Sequence, residues 1–321
     1  MLVTIITVCF NSVKDLEKCI NSVIKQNSKD IEYVVVDGNS QDGTSEILHT
    51  YANVIDKLII EPDEGIYNAM NKALNLASGD YIYFLGSDDY LIDEFVIDDV
   101  INFIHHNHLP LFIYGNIKVF PNTGEAYVHK PAKPDKVLDE MITGCLPHQA
   151  SFAHKSLFQN EEVGLFNENY KSAADYEWFL KLWSFADKIS DDLVYYDRTI
   201  ASYNSNGTSS NLTVALAEMF KSQNNLPLYQ SSFWTQRRIA AYQNIIIHPN
   251  GHWDLQRSPS TVQDYQNLLL QHQELHEEYR KLTELAQQLL IDLNNQSSHN
   301  SLFYVLIKLK KYFRSLFFFR K

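Results

Sequence analysis

Two adjacent carboxylates, Asp88 and Asp89, follow an apolar run in the stretch DYIYFLGSDDY. Like charges side by side repel each other, and each loses hydration at the edge of a protein core. A bound cation would offset both costs, because carboxylate oxygens are good ligands for Mg²⁺ and Mn²⁺. Gly-Ser-Asp-Asp is equally typical of a solvated turn. These residues alone leave a metal site and a plain turn open.

Other polar residues also stand where an apolar run ends. Phe10 and Asn11 follow TIITVC, Asp37 follows VVV, and residues 61–64 follow DKLII. The apolar runs alternate with helix-period segments through the first hundred residues, which is typical of a Rossmann-like, mostly parallel α/β sheet with helices on both faces. Such a sheet binds ligands at the carboxyl ends of its strands. We therefore expect one ligand site built from these strand ends.

The remaining chain predicts a second half of this domain and a C-terminal helical extension. Apolar residues after position 262 recur at alternating steps of three and four, which is typical of a coiled coil or of one helix packed on the domain. If this segment forms a coiled coil, we expect a homodimer through residues 262–293. The predicted parts are a domain over 1–205 with halves at about 1–105 and 106–205, a loop and helix extension over 206–261, a long helix over 262–295 and a second helix over 300–321.

The segment 300–321 combines an aromatic, apolar stripe with basic charge. No acidic residue follows Asp292, whereas six basic residues do: Lys308, Lys310, Lys311, Arg314, Arg320 and Lys321. The apolar run is shorter than the roughly 18 residues of a membrane span. We predict an amphipathic helix on an anionic membrane surface; a helix docked on the protein is the alternative.

Composition excludes some classes of protein. The net charge of -12 argues against a nucleic-acid binder, which normally has a basic surface. Three cysteines without metal-ligand spacing argue against a disulfide framework and suit a reducing compartment. The N-terminal MLVTIITVCFN has no basic region of a signal peptide, so we interpret it as a first strand. We expect a cytoplasmic protein, peripheral on the inner face of the cell membrane.

Six ordered motifs resemble the family 2 glycosyltransferases, in the branch that builds bacterial surface polysaccharides. They are TIITVCFN, VVVDGNSQDGT, EPDEGIYNAMNKAL, GDYIYFLGSDD, PHQASF and AADYEWFLKL, within residues 1–205. The resemblance implies a GT-A fold, a UDP-sugar or similar nucleotide-sugar donor, Mn²⁺ or Mg²⁺, and inversion at the anomeric carbon. It also implies a hydroxyl of a glycan or lipid-linked oligosaccharide as acceptor.

The resemblance implies a role for each strand-end residue. Asp37 would accept from a uracil nitrogen, although it could equally form a turn in DGNSQDG. The metal would lie on Asp88 and Asp89, but Gly86 replaces the first acid of the family's Asp-X-Asp motif, which makes Asp88 the better ligand. The residues assigned to the nucleotide sugar are Thr7, Phe10, Asn11, Asp37, Asp63, Lys72, Ser87 and Asp88.

Asp175 stands at the family's position for the catalytic base, which would deprotonate the attacking hydroxyl. Ser172-Ala-Ala-Asp175 also matches a capping box, so the carboxylate could serve a helix N-terminus instead. His148 would contact the acceptor or the diphosphate, or be a structural histidine.

Two other functions stay open beside the glycosyltransferase. A nucleotidyltransferase lacks support, because no Gly-rich basic loop follows the first strand. A catalytically inactive nucleotide-binding scaffold, assembled through the C-terminal helix, would explain the missing first acid of the motif.

Overall fold

The protein is described by a computed structural model that covers residues 1–121, 124–184, 189–204 and 212–247. Strands and helices alternate from the N-terminus, as the apolar pattern predicts. The strands are β1 (Val3–Cys9), β2 (Ile31–Asp37), β3 (Lys57–Ile60), β4 (Tyr81–Phe84), β5 (Phe112–Phe120), β6 (Tyr127–His129), β7 (Ser151–His154) and β8 (Leu193–Asn204). The helices are α1 (Leu16–Ile24), α2 (Thr44–Thr50), α3 (Ile66–Leu76), α4 (Val96–His106), α5 (Val137–Glu140), α6 (Ala174–Ser184), α7 (Leu212–Asn225) and α8 (Ser232–Ile247).

The strands form one mixed sheet in the order β3-β2-β1-β4-β7-β5-β6, with β8 paired to β5. The first four strands in this order run parallel to each other, and β7 joins them antiparallel to β4. The parallel register aligns Cys9 with Asp37 and Asp37 with Ile60, so these three strands end at one edge. This edge carries the polar residues that the sequence singles out.

Helices cover both faces of the sheet, which confirms the predicted α/β architecture. On one face, alternate β1 residues such as Val3 and Ile5 belong to a buried cluster with residues of α1 and α4. On the other face, aromatic rings pack together: the Phe84 and Phe166 centroids lie 5.3 Å apart, and those of Phe158 and Trp178 lie 5.0 Å apart. This aromatic cluster joins β4 to α6, the helix that carries Asp175.

The sheet and its flanking helices belong to one compact unit, residues 1–234. Of the second unit, residues 235–321, the structure describes the continuation of α8 to Ile247. The predicted helices over 262–295 and 300–321 therefore lie outside the described residues. None of the helices that the structure describes is long and apolar enough to cross a membrane.

Candidate active site

The ends of β1, β2 and β3 form one side of the candidate site. Phe10 follows β1, and its side chain is 63% exposed. A Cβ atom at Gly38 would lie only 2.6 Å from Asp63 Oδ2 and 3.1 Å from Phe10 Cδ2. Only glycine allows this close approach without a shift of its neighbours. The predicted donor residues Phe10 and Asp63 therefore meet beside the end of β2.

Asp37 organises the loop that follows it. Its side chain has no exposed surface, and its carboxylate accepts hydrogen bonds from Ser40 N at 3.0 Å, Ser40 Oγ at 2.5 Å and Ser45 Oγ at 3.1 Å. Asn11 holds the same loop, since its Oδ1 accepts from Gln41 N at 3.1 Å. Asp37 thus has the turn-forming role that the sequence left open, and its contact with a base stays a prediction.

Two other predicted donor residues have different surroundings. Lys72 lies near the loop after β3, because its Nζ is 2.7 Å from Glu61 Oε1 and donates to the Pro62 carbonyl at 3.0 Å. Thr7 is fully buried within β1, where its hydroxyl accepts from Tyr33 OH at 3.3 Å and lies 3.7 Å from Cys19 Sγ. The side chain of Thr7 therefore packs in the core rather than at the sheet edge, because strand residues alternate between faces.

The paired acids converge on Gly86. A Cβ atom at Gly86 would lie 2.8 Å from Asp89 Oδ2 and 3.1 Å from Asp88 Oδ1, so one carboxylate oxygen of each acid lies beside this residue. The other oxygen of Asp89 accepts from Asn204 N at 3.1 Å, at the end of β8. Ser87, between Gly86 and the acids, pairs its hydroxyl with Ser12 Oγ at 2.9 Å.

The paired acids carry a charge that the protein itself compensates poorly. Burial and then the charge of Asp88 raise the pKa of Asp89 to about 7, against a smaller lowering by His148, Asn204 and Gln149. Burial also raises the pKa of Asp88, with a smaller contribution from Asp15. A cation would relieve this cost.

The residues fit a divalent cation that shares its coordination with a ligand. One carboxylate oxygen of each acid lies beside Gly86, and burial raises the pKa of both carboxyl groups. In the ranges that the structure describes, no group of three or more His, Cys, Asp or Glu could hold a metal ion. The protein would therefore supply two carboxylates, and phosphate oxygens and water the rest.

Asp175 lies in the first turn of α6 and is held from two sides. Its Oδ1 accepts from Tyr67 OH at 3.0 Å, and its Oδ2 lies 3.1 Å from His148 Nδ1. Burial acts to raise the pKa of Asp175, but the hydrogen bond and charge of His148 outweigh it and keep the pKa below its usual value. Burial acts to lower the pKa of His148, but Asp175, Asp89 and Asp88 together raise it. The pair thus favours a carboxylate beside an imidazolium.

A short 3₁₀ turn, His148–Ala150, joins Asp175 to the paired acids. His148 contacts Asp175, and both His148 and the side chain of the next residue, Gln149, act to lower the pKa of Asp89. Tyr83 of β4 anchors the turn by donating to the Gln149 carbonyl at 2.8 Å. The side chain of Asp175 remains 17% exposed. The Asp175 carboxylate and the candidate metal ligands Asp88 and Asp89 therefore lie close to the same histidine.

The capping box that the sequence left open at Ser172 does not form. The Ser172 hydroxyl is buried and has no hydrogen-bond partner among the described residues. The backbone N–H of Ser172 donates instead to Glu218 Oε2 of α7 at 2.9 Å. The sequence spacing of Ser172 and Asp175 matches the motif, but a side chain from a distant helix takes its place.

Three residues of the site were not predicted from the sequence. Tyr67 and Gln149 lie inside the motifs EPDEGIYNAMNKAL and PHQASF, so a search for polar side chains within these motifs could have found them. Glu218 lies in no motif, and no local signal marks it.

Comparisons with known proteins agree with this architecture. The model of the family described as Glycosyl transferase family 2 matches residues 4–160. A PGL/p-HBAD biosynthesis glycosyltransferase of Mycobacterium bovis is 31% identical over 217 residues, which cover 66% of this chain and 80% of that protein. The chondroitin synthase of Pasteurella multocida is 28% identical over 186 residues, 56% of this chain and 19% of that protein.

A solved structure of S. aureus TarS, residues 1–349 in complex with UDP-GlcNAc, superposes with a TM-score of 0.62. The superposition covers 85% of this chain and 81% of that one at 18% sequence identity, so it supports the fold. It confirms the expected GT-A architecture. Since the mycobacterial relative matches over four-fifths of its own length, the resemblance is not confined to a nucleotide-binding half. The chain therefore belongs to family 2 of the glycosyltransferases.

Proposed function

We propose that the protein transfers a sugar, with inversion, from a UDP-sugar to a hydroxyl of a glycan or lipid-linked oligosaccharide in surface polysaccharide biosynthesis. The names of the relatives support this class of product, since they include a PGL/p-HBAD biosynthesis glycosyltransferase and a chondroitin synthase. The donor is supported by TarS, which was solved with UDP-GlcNAc and with UDP.

One observation carries the proposal: the partly exposed Asp175 carboxylate is paired with His148, whose charge also acts on Asp88 and Asp89. In the proposed step, the acceptor hydroxyl forms a bond to the anomeric carbon while the bond from that carbon to the diphosphate oxygen breaks. The hydroxyl proton passes to Asp175, and the nucleoside diphosphate leaves with the bonding electrons. Attack opposite the leaving group inverts the anomeric carbon.

His148 would serve this step in two ways. Its hydrogen bond orients the Asp175 carboxylate, and its positive charge keeps that carboxylate ionised until it receives the proton. The same charge lies close enough to Asp88 and Asp89 to affect their pKa values. His148 is thus suited to contact the diphosphate or the acceptor between the two parts of the site.

The donor would lie along the edge formed by β1, β2 and β3. Phe10 offers an exposed ring to a base, while Asp37 and Asn11 shape the adjacent loop. Asp63 and Lys72 stand near the end of β3, where a ribose or phosphate would pass. Asp88 and Asp89 would hold Mn²⁺ or Mg²⁺, which when bound neutralises the charge of the departing diphosphate.

The substitution Asp175→Asn tests the proposal. We expect it to reduce sugar transfer about 10²- to 10⁴-fold while leaving UDP binding intact, because an amide preserves the shape of the side chain but cannot take the proton. Transfer is measured as UDP release with a panel of UDP-sugars and acceptor glycans, and binding by calorimetry. Addition of EDTA should abolish turnover if Asp88 and Asp89 hold a metal.

Asp30→Asn is the matched control. Asp30 is exposed, and its carbonyl accepts from Val3 N at the opposite end of β1, so its loss should leave transfer unchanged. Near-normal transfer by Asp175→Asn would refute the assignment of the base.

A further inference from the structure

Glu218 on α7 binds the chain just before the helix that carries Asp175. Its Oε1 accepts from Lys171 N at 2.7 Å, and its Oε2 accepts from Ser172 N and Ala173 N, both at 2.9 Å. One carboxylate therefore satisfies three successive backbone donors. Glu218 lies well beyond residues 4–160, which the family model matches.

These three backbone N–H groups belong to the residues that lead directly into helix α6. Helix α6 begins at Ala174, and Asp175 is its second residue. A local side chain usually caps the start of a helix, but the Ser172 hydroxyl, two residues before α6, has no partner in the described part of the chain. The negative charge of Glu218 also lies at the positive end of the α6 dipole.

A second residue of α7 holds the other side of Asp175. Gln223 Nε2 donates to Tyr176 OH at 2.6 Å and to the Ile142 carbonyl at 2.9 Å. Gln223 is fully buried. Helix α7 is therefore joined to residues 171–173 before Asp175 and to Tyr176 after it.

The contacts of the Asp175 carboxylate require an accurate position of the backbone at the start of α6. Its two oxygens already meet Tyr67 on α3 and His148 on the 3₁₀ turn, at 3.0 and 3.1 Å. A shift of the α6 N-terminus would lengthen both contacts, and an error of 1 Å in a catalytic group can cost about 10²-fold in rate.

We propose that Glu218 is a positioning residue for Asp175: it fixes the start of α6 so that the carboxylate reaches Tyr67, His148 and the acceptor hydroxyl together. The proposal rests on the proposed role of Asp175 as the base. It assigns part of the catalytic apparatus to a helix that follows the last strand of the sheet.

The first test compares Glu218→Gln with the wild type. An amide keeps one acceptor oxygen but turns an NH₂ group towards backbone donors, so the start of α6 loses part of its support. We expect kcat to fall about 10- to 100-fold while KM for the UDP-sugar changes less than about twofold. Glu218→Asp keeps the charge on a shorter side chain, so its kcat should lie between those of the wild type and Glu218→Gln. Unchanged kcat in both variants would overturn the proposal.

Ser222→Ala is the matched control on the same helix. Ser222 Oγ donates to Tyr170 OH at 3.0 Å, so this variant loosens the docking of α7 without touching the donors at 171–173. Its kcat should stay within about twofold of the wild type. An equal loss in Ser222→Ala and Glu218→Gln would mean that general docking of α7, and not the three hydrogen bonds, sets the rate.

A double variant separates the two proposals. If Glu218 acts through Asp175, adding Glu218→Gln to Asp175→Asn should reduce the residual activity less than about twofold, because groups that act as a unit are not additive. If Glu218→Gln reduces activity by the same factor in the Asp175→Asn variant as in the wild type, the positioning role is refuted. Full activity of Asp175→Asn alone would instead refute the assignment of the base, whatever Glu218 does.

Discussion

The absence of a side chain at Gly86 leaves room for the carboxylates of Asp88 and Asp89. The family's usual motif has an acid here, yet a Cβ atom at this position would crowd Asp89 Oδ2 at 2.8 Å and Asp88 Oδ1 at 3.1 Å. The 2.8 Å contact would require Asp89 Oδ2 to shift, and the 3.1 Å contact with Asp88 Oδ1 would be tight.

We predict that Gly86→Ala raises the Mn²⁺ concentration needed for half-maximal turnover roughly tenfold, equivalent to about 1.4 kcal/mol. The added methyl group must push at least one carboxylate oxygen out of place. Metal titrations of UDP release would measure the effect. Gly86→Asp, which restores the usual motif, should bind metal no better than Gly86→Ala. Tighter metal binding by the restored motif would contradict the crowding seen at this position.

The pair of His148 and Asp175 predicts a pH-dependent stability. Because folding raises the pKa of His148 above 6.5, its contribution is complete below about pH 6.5 and is lost as the pH rises through the folded-state pKa. Because folding lowers the pKa of Asp175 below 3.8, its contribution is present above about pH 3.8 and is lost in stronger acid. The charges of Asp88 and Asp89 also raise the pKa of His148, as that of Asp175 does.

We therefore expect His148→Gln to lower the free energy of unfolding more at pH 6 than at pH 9, measured by urea unfolding in EDTA. His154→Gln is the control, because burial lowers the pKa of His154 and the sign is reversed. An equal cost of His148→Gln at both pH values would show that the imidazolium does not stabilise the fold.

At the scale of elements, α3 anchors the loop that leads to α6. The buried Asn71 donates to the Phe166 carbonyl at 2.9 Å and to Glu168 Oε1 at 2.8 Å, and it accepts from Phe166 N at 3.1 Å. Asn68, one turn earlier, donates to Glu168 Oε2 at 2.9 Å but is only partly buried. The two amides thus share a partner and differ in burial.

We predict that Asn71→Ala destabilises the protein by about 1–3 kcal/mol, because it leaves the buried N–H and carbonyl of Phe166 without partners. Asn68→Ala should cost less than about 1 kcal/mol, since water can replace its amide. Urea unfolding of both variants measures the difference. Equal costs would show that the loop finds other partners when Asn71 is lost.

At the scale of the whole molecule, charge is distributed unevenly along the chain. All 39 acidic residues lie at or before Asp292, whereas six basic residues follow it. We propose that the segment 300–321 binds an anionic membrane surface, where each base contributes about 1 kcal/mol, and that the acidic remainder of the chain stays away from the lipid.

We predict that the full-length protein floats with vesicles containing anionic lipid and that high salt weakens this binding. Replacement of four bases by Gln should release the protein while keeping its apolar stripe; the four are Lys308, Lys310, Lys311 and Arg314. Vesicles of neutral lipid are the control. Flotation that neither salt nor the replacement reduces would show that basic charge does not direct binding.

The strands, their ends and the family could all be predicted from the sequence. Apolar runs and their alternation with helices are local features, and the register of parallel strands then brings Cys9, Asp37 and Ile60 to one edge. Asp88, Asp89 and Asp175 could be singled out because each lies in a motif with a known spacing. The resemblance also assigns Thr7 to the donor site, and its side chain is buried within β1.

The side chains that surround Asp175 come from distant parts of the chain and follow from its tertiary structure. Tyr67 lies 108 positions away along the chain, and Glu218 reaches the start of α6 from 46 positions beyond Ser172. Neither contact follows from a local pattern, because a hydrogen bond between distant residues depends on how helices pack and not on their spacing in sequence. For the same reason the sequence around Ser172 matches a capping box that does not form. In the structure, the Glu218 carboxylate of α7 binds this segment instead.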